Sequence, residues 1–403
     1  MSGFRVLHVS DYSAAYEGAF IRQLRMLDEE LRARGAAPSA FGLTSPALAQ
    51  GWARNLAVEG WTLAELPPSS TRASGAAVAA IADSIREVEP DVVHVHFGTY
   101  DLAARAALRR LRRDPRFAST KLVWHYRTAL EEPISARGPL RRIKDHLKFT
   151  RASRDVDLVV GVTNALAAEA VARGVEPERA RGVVAGCDTD TFRMERSTRA
   201  RVREELGLDD GDVLLLHMGW MWHRKGGDLL VDALEQLTDA DGRTADGTRI
   251  VACSIGAPED VELGRVRRLP MSTGVHEYHQ AADIFISASR SEGFGNGLVE
   301  AMACERVAVA ACADGQVETF DGIHGVVPVA VGDAAALAEG ITRLLAQRST
   351  WPTMGQASRD HVLAHHSMRR WAREMADTYA ELLPHSLPTA AEGDAEPANA
   401  EVA

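Results

Sequence analysis

Short apolar runs ending in turn residues recur along the first half of the chain. Between them lie stretches whose apolar positions repeat every three or four residues. Phe4–Ser10 (FRVLHVS) is the first run and reads as a buried parallel strand. After a loop around Asp11–Glu17, Phe20, Ile21, Leu24, Leu27 and Leu31 fall at helical spacing within residues 18–34, and Gly35 supplies a stop. A helix near 75–89 ends ahead of Pro90. The strand Val92–Phe97, a helix near 101–113, and strands at Lys121–His125 and Leu158–Val162 follow. This alternation predicts a parallel sheet covered on both faces.

The polar, turn-rich stretch Gly186–Phe192 (GCDTDTF) precedes a second cycle. Its strands are expected at Val213–Met218, Arg249–Ile255, Ile284–Ala288 and Val307–Ala311, and its helices at Gly227–Leu237, 296–303 and 334–346. The fold class is therefore α/β with two Rossmann-like domains, residues 1–192 and 193–367. The helical pattern of Met368, Trp371, Met375, Tyr379, Leu382 and Leu383 predicts a C-terminal helix, 368–385, packing back on the first domain. Residues 386–403, rich in Ala, Pro and Glu, are expected to be disordered. Only a few residues separate Ile255-Gly256 from Leu263, too few for a helical crossover, so the topology over 256–270 stays open.

Composition changes this picture little. At 403 residues, 46% hydrophobic and 25% charged, the chain is an ordinary globular protein long enough for two cores. No apolar run reaches the roughly 18 residues of a membrane span. Met1-Ser2-Gly3-Phe4-Arg5 lacks the layout of a signal peptide, and the four cysteines show no CxxC pairing, so a cytoplasmic location is expected. The net charge of −10 argues against wholesale nucleic-acid binding. Residues 101–154 run the other way, with fifteen basic and five acidic side chains. That stretch reads as solvated helix faces or as an attractor for an anionic acceptor or membrane surface.

Three segments carry candidate chemistry. Ser289–Glu300 (SRSEGFGNGLVE) follows a strand and opens a helix. Its glycines, Gly293, Gly295 and Gly297, admit a ligand close to the backbone, and the helix N-terminus behind them offers N–H groups to an anion. Glu292 in the loop and Glu300 in the helix suit two polyhydroxyl groups, such as a hexose and a ribose. In Met218–Gly226 (MGWMWHRKG), Arg224 and Lys225 suit a diphosphate, or form an exposed basic loop. His125 sits at a strand end, where α/β sheets bind ligands, or is a hydrogen-bonded structural residue. His94 and His96 alternate along their strand and share a face.

With these motifs in order, the chain resembles glycosyltransferase family 4, retaining enzymes of the GT-B fold, whose two parallel sheets face each other across a cleft. The paired-glutamate motif is met by Glu292 and Glu300 and continues as Ala301-Met302-Ala303-Cys304. Supporting matches are Gly186-Cys187-Asp188-Thr189 with Phe192, Asp91–His96, and Gly315-Gln316-Val317-Glu318. The resemblance implies that Glu292 faces the donor sugar and Glu300 the nucleotide ribose. Gly293, Phe294, Gly295, Asn296, Gly297, Leu298 and Val299 would lie along the sugar and diphosphate. Lys225 would grip the diphosphate, Gly18 would approach it from the first loop, and His125 would contact the transferred sugar. His125, Glu292 and Lys225 are thus the candidate catalytic residues. The family's arginine after the loop glycine is here Trp220, so Arg224 is a partial substitute, and only Gly18 remains of the usual glycine pair.

The resemblance further implies a UDP- or GDP-linked sugar as substrate, no cofactor and no metal. Tyr12, Tyr16, His96, Tyr100, Tyr126 and Arg127 are candidates for an acceptor pocket or for packing, and a small soluble acceptor, such as one of specialised metabolism, is favoured over a membrane surface. A GT-B-fold sugar-nucleotide epimerase or hydrolase and a non-catalytic nucleotide-sugar-binding protein are the rival readings. Monomer and homodimer remain equally open.

Overall fold

The structure, a computed structural model, describes residues 3–68, 74–128, 139–271, 274–384 and 386–387, with the backbone alone for 139–142, 144 and 145. Of the tail expected over 386–403, Ser386 and Leu387 are described, and Leu387 is buried in the core beneath the C-terminal helix; the rest lies outside the described residues. Two parallel sheets organise the rest. The first contains β1 (Val6–Val9), β2 (Ala40–Thr44), β3 (Thr62–Leu66), β4 (Val92–His96), β5 (Lys121–Tyr126), β6 (Leu158–Gly161) and β7 (Ala180–Gly182), in the order β3-β2-β1-β4-β5-β6-β7. The second contains β8 (Val213–Met218), β9 (Ile250–Ile255), β10 (Arg267–Leu269), β11 (Ile284–Ser287), β12 (Val307–Ala311) and β13 (Val326–Val329), ordered β10-β9-β8-β11-β12-β13. Central strands such as β1, β4, β9, β11 and β12 are buried at every position, because helices cover both faces.

The open question over residues 256–270 has a simple answer. The chain runs from β9 through residues 256–266 without a helix and returns as the short edge strand β10, parallel to β9. The helix of this unit comes afterwards, at Val275–Ala281, and leads into β11. Sequence patterning also passed over β2, β3, β7 and β13; β3 and β7 are edge strands with no buried run to mark them, whereas β2 is buried throughout but has Gly42 at its centre.

The helix Met368–Leu382 lies against Ala19–Ala33 of the first domain. Trp371, Met375 and Tyr379 join Leu27, Leu31, Val92, Val123 and Val160 in one core, and Arg34 pairs with Asp377 at 2.6 Å. The Tyr379 hydroxyl shares a 2.5 Å hydrogen bond with His94 Nδ1. Further contacts tie the two sheets together near the cleft. Thr163 Oγ1 donates to the Gly293 carbonyl at 3.2 Å, and the Glu318 carboxylate accepts from the amides of Asn164 and Ala165, capping the helix Asn164–Ala172. Part of the basic stretch 101–154 is answered by local acids: Arg105 pairs with Asp155, Arg112 and Lys121 with Asp157, and Lys148 with Asp101. Among the described residues no helix is long and apolar enough to cross a membrane.

Trp371 is fully buried, whereas Trp220 is 46% exposed. Trp371→Ala is expected to cost about 3–5 kcal/mol through the cavity it leaves. Trp220→Ala should stay within about 0.5 kcal/mol of the parent. Urea unfolding followed by circular dichroism separates the two.

Candidate functional site

Parallel sheets place the loops after their strands at one edge, and here the two edges face each other. Residues just past or at the end of β4, β5, β6, β8 and β11 (Phe97, Arg127, Val162, Met218 and Glu292) all border one cavity of about 370 Å³. Of the residues singled out from the sequence, the cavity brings together Tyr12, Tyr16, Gly18, Arg127, Trp220, Arg224, Lys225, Glu292, Gly293, Phe294, Gly295, Asn296, Gly297 and Glu300.

The second domain contributes the charged floor. After β8 the chain makes one helical turn, Trp222–Lys225, and Gly226 then takes φ +72° to start Gly227–Leu237. A Cβ at Gly226 would sit 2.0 Å from the Ala288 carbonyl oxygen, so only glycine lets the two loops close. His217 at the end of β8 bonds the Lys225 carbonyl through Nε2 and Ser254 through Nδ1, both at 3.0 Å, and so fixes where Lys225 leaves the backbone. Lys225 Nζ forms an ion pair with Glu292, whose Oε1 also accepts from Ser289 Oγ at 2.9 Å. Burial pushes the Glu292 carboxyl up, but Lys225 and then Arg224 outweigh it and hold it below the ordinary glutamate value. Arg224 and Lys225 both lie over the Trp220 ring, at 5.4 and 5.6 Å from its centroid.

Gly295, at φ +82°, caps the helix Asn296–Ala303 and accepts from the amides of Leu298 and Val299. The Asn296 and Gly297 amides begin that helix outside its own bonding. Leu298 and Val299 themselves turn into the core and do not border the cavity, because they occupy the helix's buried stripe. Glu300, one turn on, is pushed up to about 7 by burial. Arg22 and Lys225 act to lower it and Asp188 to raise it further. His279, kept neutral by burial, lies 3.6 Å from the Glu300 carboxylate. Arg22, from the helix Ala19–Ala33, reaches the cavity across the domain boundary and had no motif to announce it.

The first domain departs further from expectation. His125 and His96 do not border the cavity. They are buried with His8 and His94 in a cluster on one face of the sheet, joined by 3.1 Å contacts between His8 Nδ1 and His96 Nε2 and between His94 Nε2 and His125 Nδ1. The reason is a strand that continues through Tyr126, so the loop position falls to Arg127, two residues beyond His125 on the same face. Tyr100 and Tyr126 are likewise packing residues: their hydroxyls donate to the Pro67 carbonyl and to Asp101, the latter at 2.9 Å.

Nitrogens of His8, His94 and His96 lie within 4.8 Å of one another, near enough to share a metal ion. Arg127 Nε, however, donates to His96 Nδ1 at 3.3 Å, which places the His96 proton on Nε2, facing His8. A metal-bound histidine instead donates its second N–H to an acceptor. Burial, with Arg127 adding to it, holds all four rings below the ordinary histidine range. The cluster fits a neutral hydrogen-bonded network.

Comparison with known proteins agrees with this architecture. The family model Glycosyltransferase Family 4 matches residues 22–191, and Glycosyl transferases group 1 matches residues 212–347. A Bacillus subtilis protein provisionally named glycosyltransferase EpsD is 27% identical over 307 residues, covering 72% of this chain and 77% of its own. A D-inositol 3-phosphate glycosyltransferase of Frankia alni is 31% identical over 218 residues, covering 47% of this chain, which spans about half, 52%, of that relative's length. Among solved structures, Anabaena HepE in complex with UDP and glucose superposes with a TM-score of 0.75 at 18% identity, over 94% of this chain and 99% of that one. On these matches, the chain belongs to the GT4-type glycosyltransferases of the GT-B fold.

Proposed function

We propose that this glycosyltransferase moves a sugar from a UDP- or GDP-linked donor to a small soluble acceptor, such as one of specialised metabolism, with retention at the anomeric carbon and without a metal. The observation that carries the reading is the grouping of Lys225, Arg224, Glu292 and Glu300 around one interdomain cavity, beside the helix N-terminus at Asn296. Lys225, Arg224 and that helix end supply positive charge for a diphosphate. Glu292, held ionised, accepts hydroxyls of the donor sugar, and Glu300 accepts those of the ribose. HepE, with UDP and glucose bound, lends the donor class support by analogy of fold.

In the proposed reaction the bond from the anomeric carbon to the diphosphate oxygen breaks, and a bond to the acceptor oxygen forms on the same face. The acceptor's proton passes to the leaving diphosphate oxygen, so no protein base is required. The enzyme's task is then to stabilise charge on the leaving group and to orient the sugar. Lys225, paired with Glu292 at the cavity wall, is placed to share its charge with the diphosphate.

The deciding experiment incubates the protein with UDP- and GDP-sugars, with and without a broad acceptor panel, in the presence of EDTA, and reads the anomeric linkage by NMR. A product of retained configuration is expected. An inverted product would overturn the proposed stereochemistry, and rapid epimer or free sugar without acceptor would favour the rival enzyme classes. Lys225→Ala should lower turnover about 10²–10³-fold, the usual loss of a charge-stabilising group.

The raised Glu300 value gives a pH signature. A carboxylate accepts two ribose hydroxyls, so donor binding should tighten as pH rises through about 7 and weaken by up to about tenfold per unit below it. For folding the sign is opposite. The unliganded protein gains from a protonated Glu300 in acid and loses that contribution as pH rises toward 7. Calorimetric titration of UDP or GDP between pH 6 and 8 is expected to show the slope in the parent and a flatter one in Glu300→Gln.

A further inference from the structure

Arg127 is a partly buried cation at the cavity edge with no anion beside it among the described residues. Its guanidinium lies between two rings, 4.7 Å from the Phe20 centroid and 5.3 Å from that of Trp371. Nη1 donates to Gln23 Oε1 at 2.5 Å and Nε to His96 Nδ1 at 3.3 Å, while Nη2 has no hydrogen-bond partner. The Gln23 amide cannot turn away, because its Nε2 donates to the Gly186 carbonyl at 2.9 Å. Every partner of Arg127 among the described residues is therefore neutral. Burial lowers its pKa to about 9, which leaves it charged at neutral pH.

Most other charges of the cavity wall differ; Arg224, which likewise has no ion pair among the described residues, lies over the ring of the half-exposed Trp220. Glu17 pairs with Arg25, Glu292 with Lys225, and Arg22 has Asp188 at 3.7 Å. Among the described residues no carboxylate lies within ion-pair distance of Arg127. Partly burying a charge without a counter-ion carries a cost that a bound anion offsets. A guanidinium held in one orientation is also the side chain best shaped for a carboxylate or phosphate. It stands on the first-domain wall, opposite the Lys225 loop.

Resting on the donor-site reading above, we propose that Arg127 binds an anionic group of a substrate, a carboxylate or phosphate monoester distinct from the nucleotide's own diphosphate. The anion has two possible sources: a uronic-acid sugar on the donor or a charged acceptor. Each needs its own arm of the test.

The donor arm compares UDP-glucuronate with UDP-glucose by calorimetry, using the GDP pair where UDP fails to bind. The acceptor arm titrates inorganic phosphate into protein saturated with the nucleoside diphosphate. In at least one arm the parent should favour the anion, and Arg127→Gln should reduce that preference about tenfold. Arg127→Lys, which keeps the charge and guards against loss of fold, should fall between. The diphosphate alone should bind Arg127→Gln nearly as it binds the parent. A purely structural role would weaken both sugars equally and leave their ratio unmoved, and that result overturns the inference. So does a parent with no anion response in either arm. If neither UDP nor GDP binds the parent, the donor-site reading fails, and this inference with it.

Discussion

The site turns on the ion pair between Lys225 and Glu292. Each partner comes from a different loop of the second sheet, and both are removed from water. Either charge left unpaired there would be costly, so the pair favours closure of the loop after β8 on the loop after β11. The glycine at 226 admits that closure, His217 fixes the departing backbone, and Ser289 takes up a further lone pair of the carboxylate. A buried pair of this kind adds little net stability, since desolvation offsets attraction. Its value lies in geometry: it holds the lysine at a fixed point on the cavity wall.

That constraint explains why the second domain was the more legible half. Its site residues lie on two short segments, and each segment is a strand, a glycine-bearing turn and a helix start. The spacing of Glu292 and Glu300 follows from one loop plus one helical turn, so sequence distance translates directly into position. Most core strands were legible for the same local reason, an unbroken apolar run buried on both faces, whereas β2, interrupted by Gly42, was not. Edge strands such as β3 and β7 lack that run, and the connection from β9 to β10 obeys no helical period.

The first domain was harder to read because its contribution depends on where a strand stops. A strand ending at His125 would aim that histidine into the cleft. One further residue of pairing, Tyr126 with Gly161, carries the edge onward and sends His125 into the core. Its three histidine neighbours come from β1 and β4, in register across the sheet, which no single segment of sequence reveals. Arg22 was illegible for a similar reason: it lies on a helix of one domain and acts on a glutamate of the other.

The histidine network and Arg127 are two consequences of one arrangement. Four rings and a tyrosine hydroxyl fill the space beneath the cleft with polar atoms that carry no net charge. Such groups orient a cation through lone pairs and ring faces without neutralising it. Had one of them been a carboxylate, Arg127 would be locked in an internal pair, as Lys148 is with Asp101. The absence of that pair among the described residues keeps a positive field on the first-domain wall, while Trp220 leaves the opposite wall one arginine short of the family pattern. The charge available to substrates is therefore shared between the two domains, so the cleft can assemble its full electrostatic complement only when both walls face the same ligand.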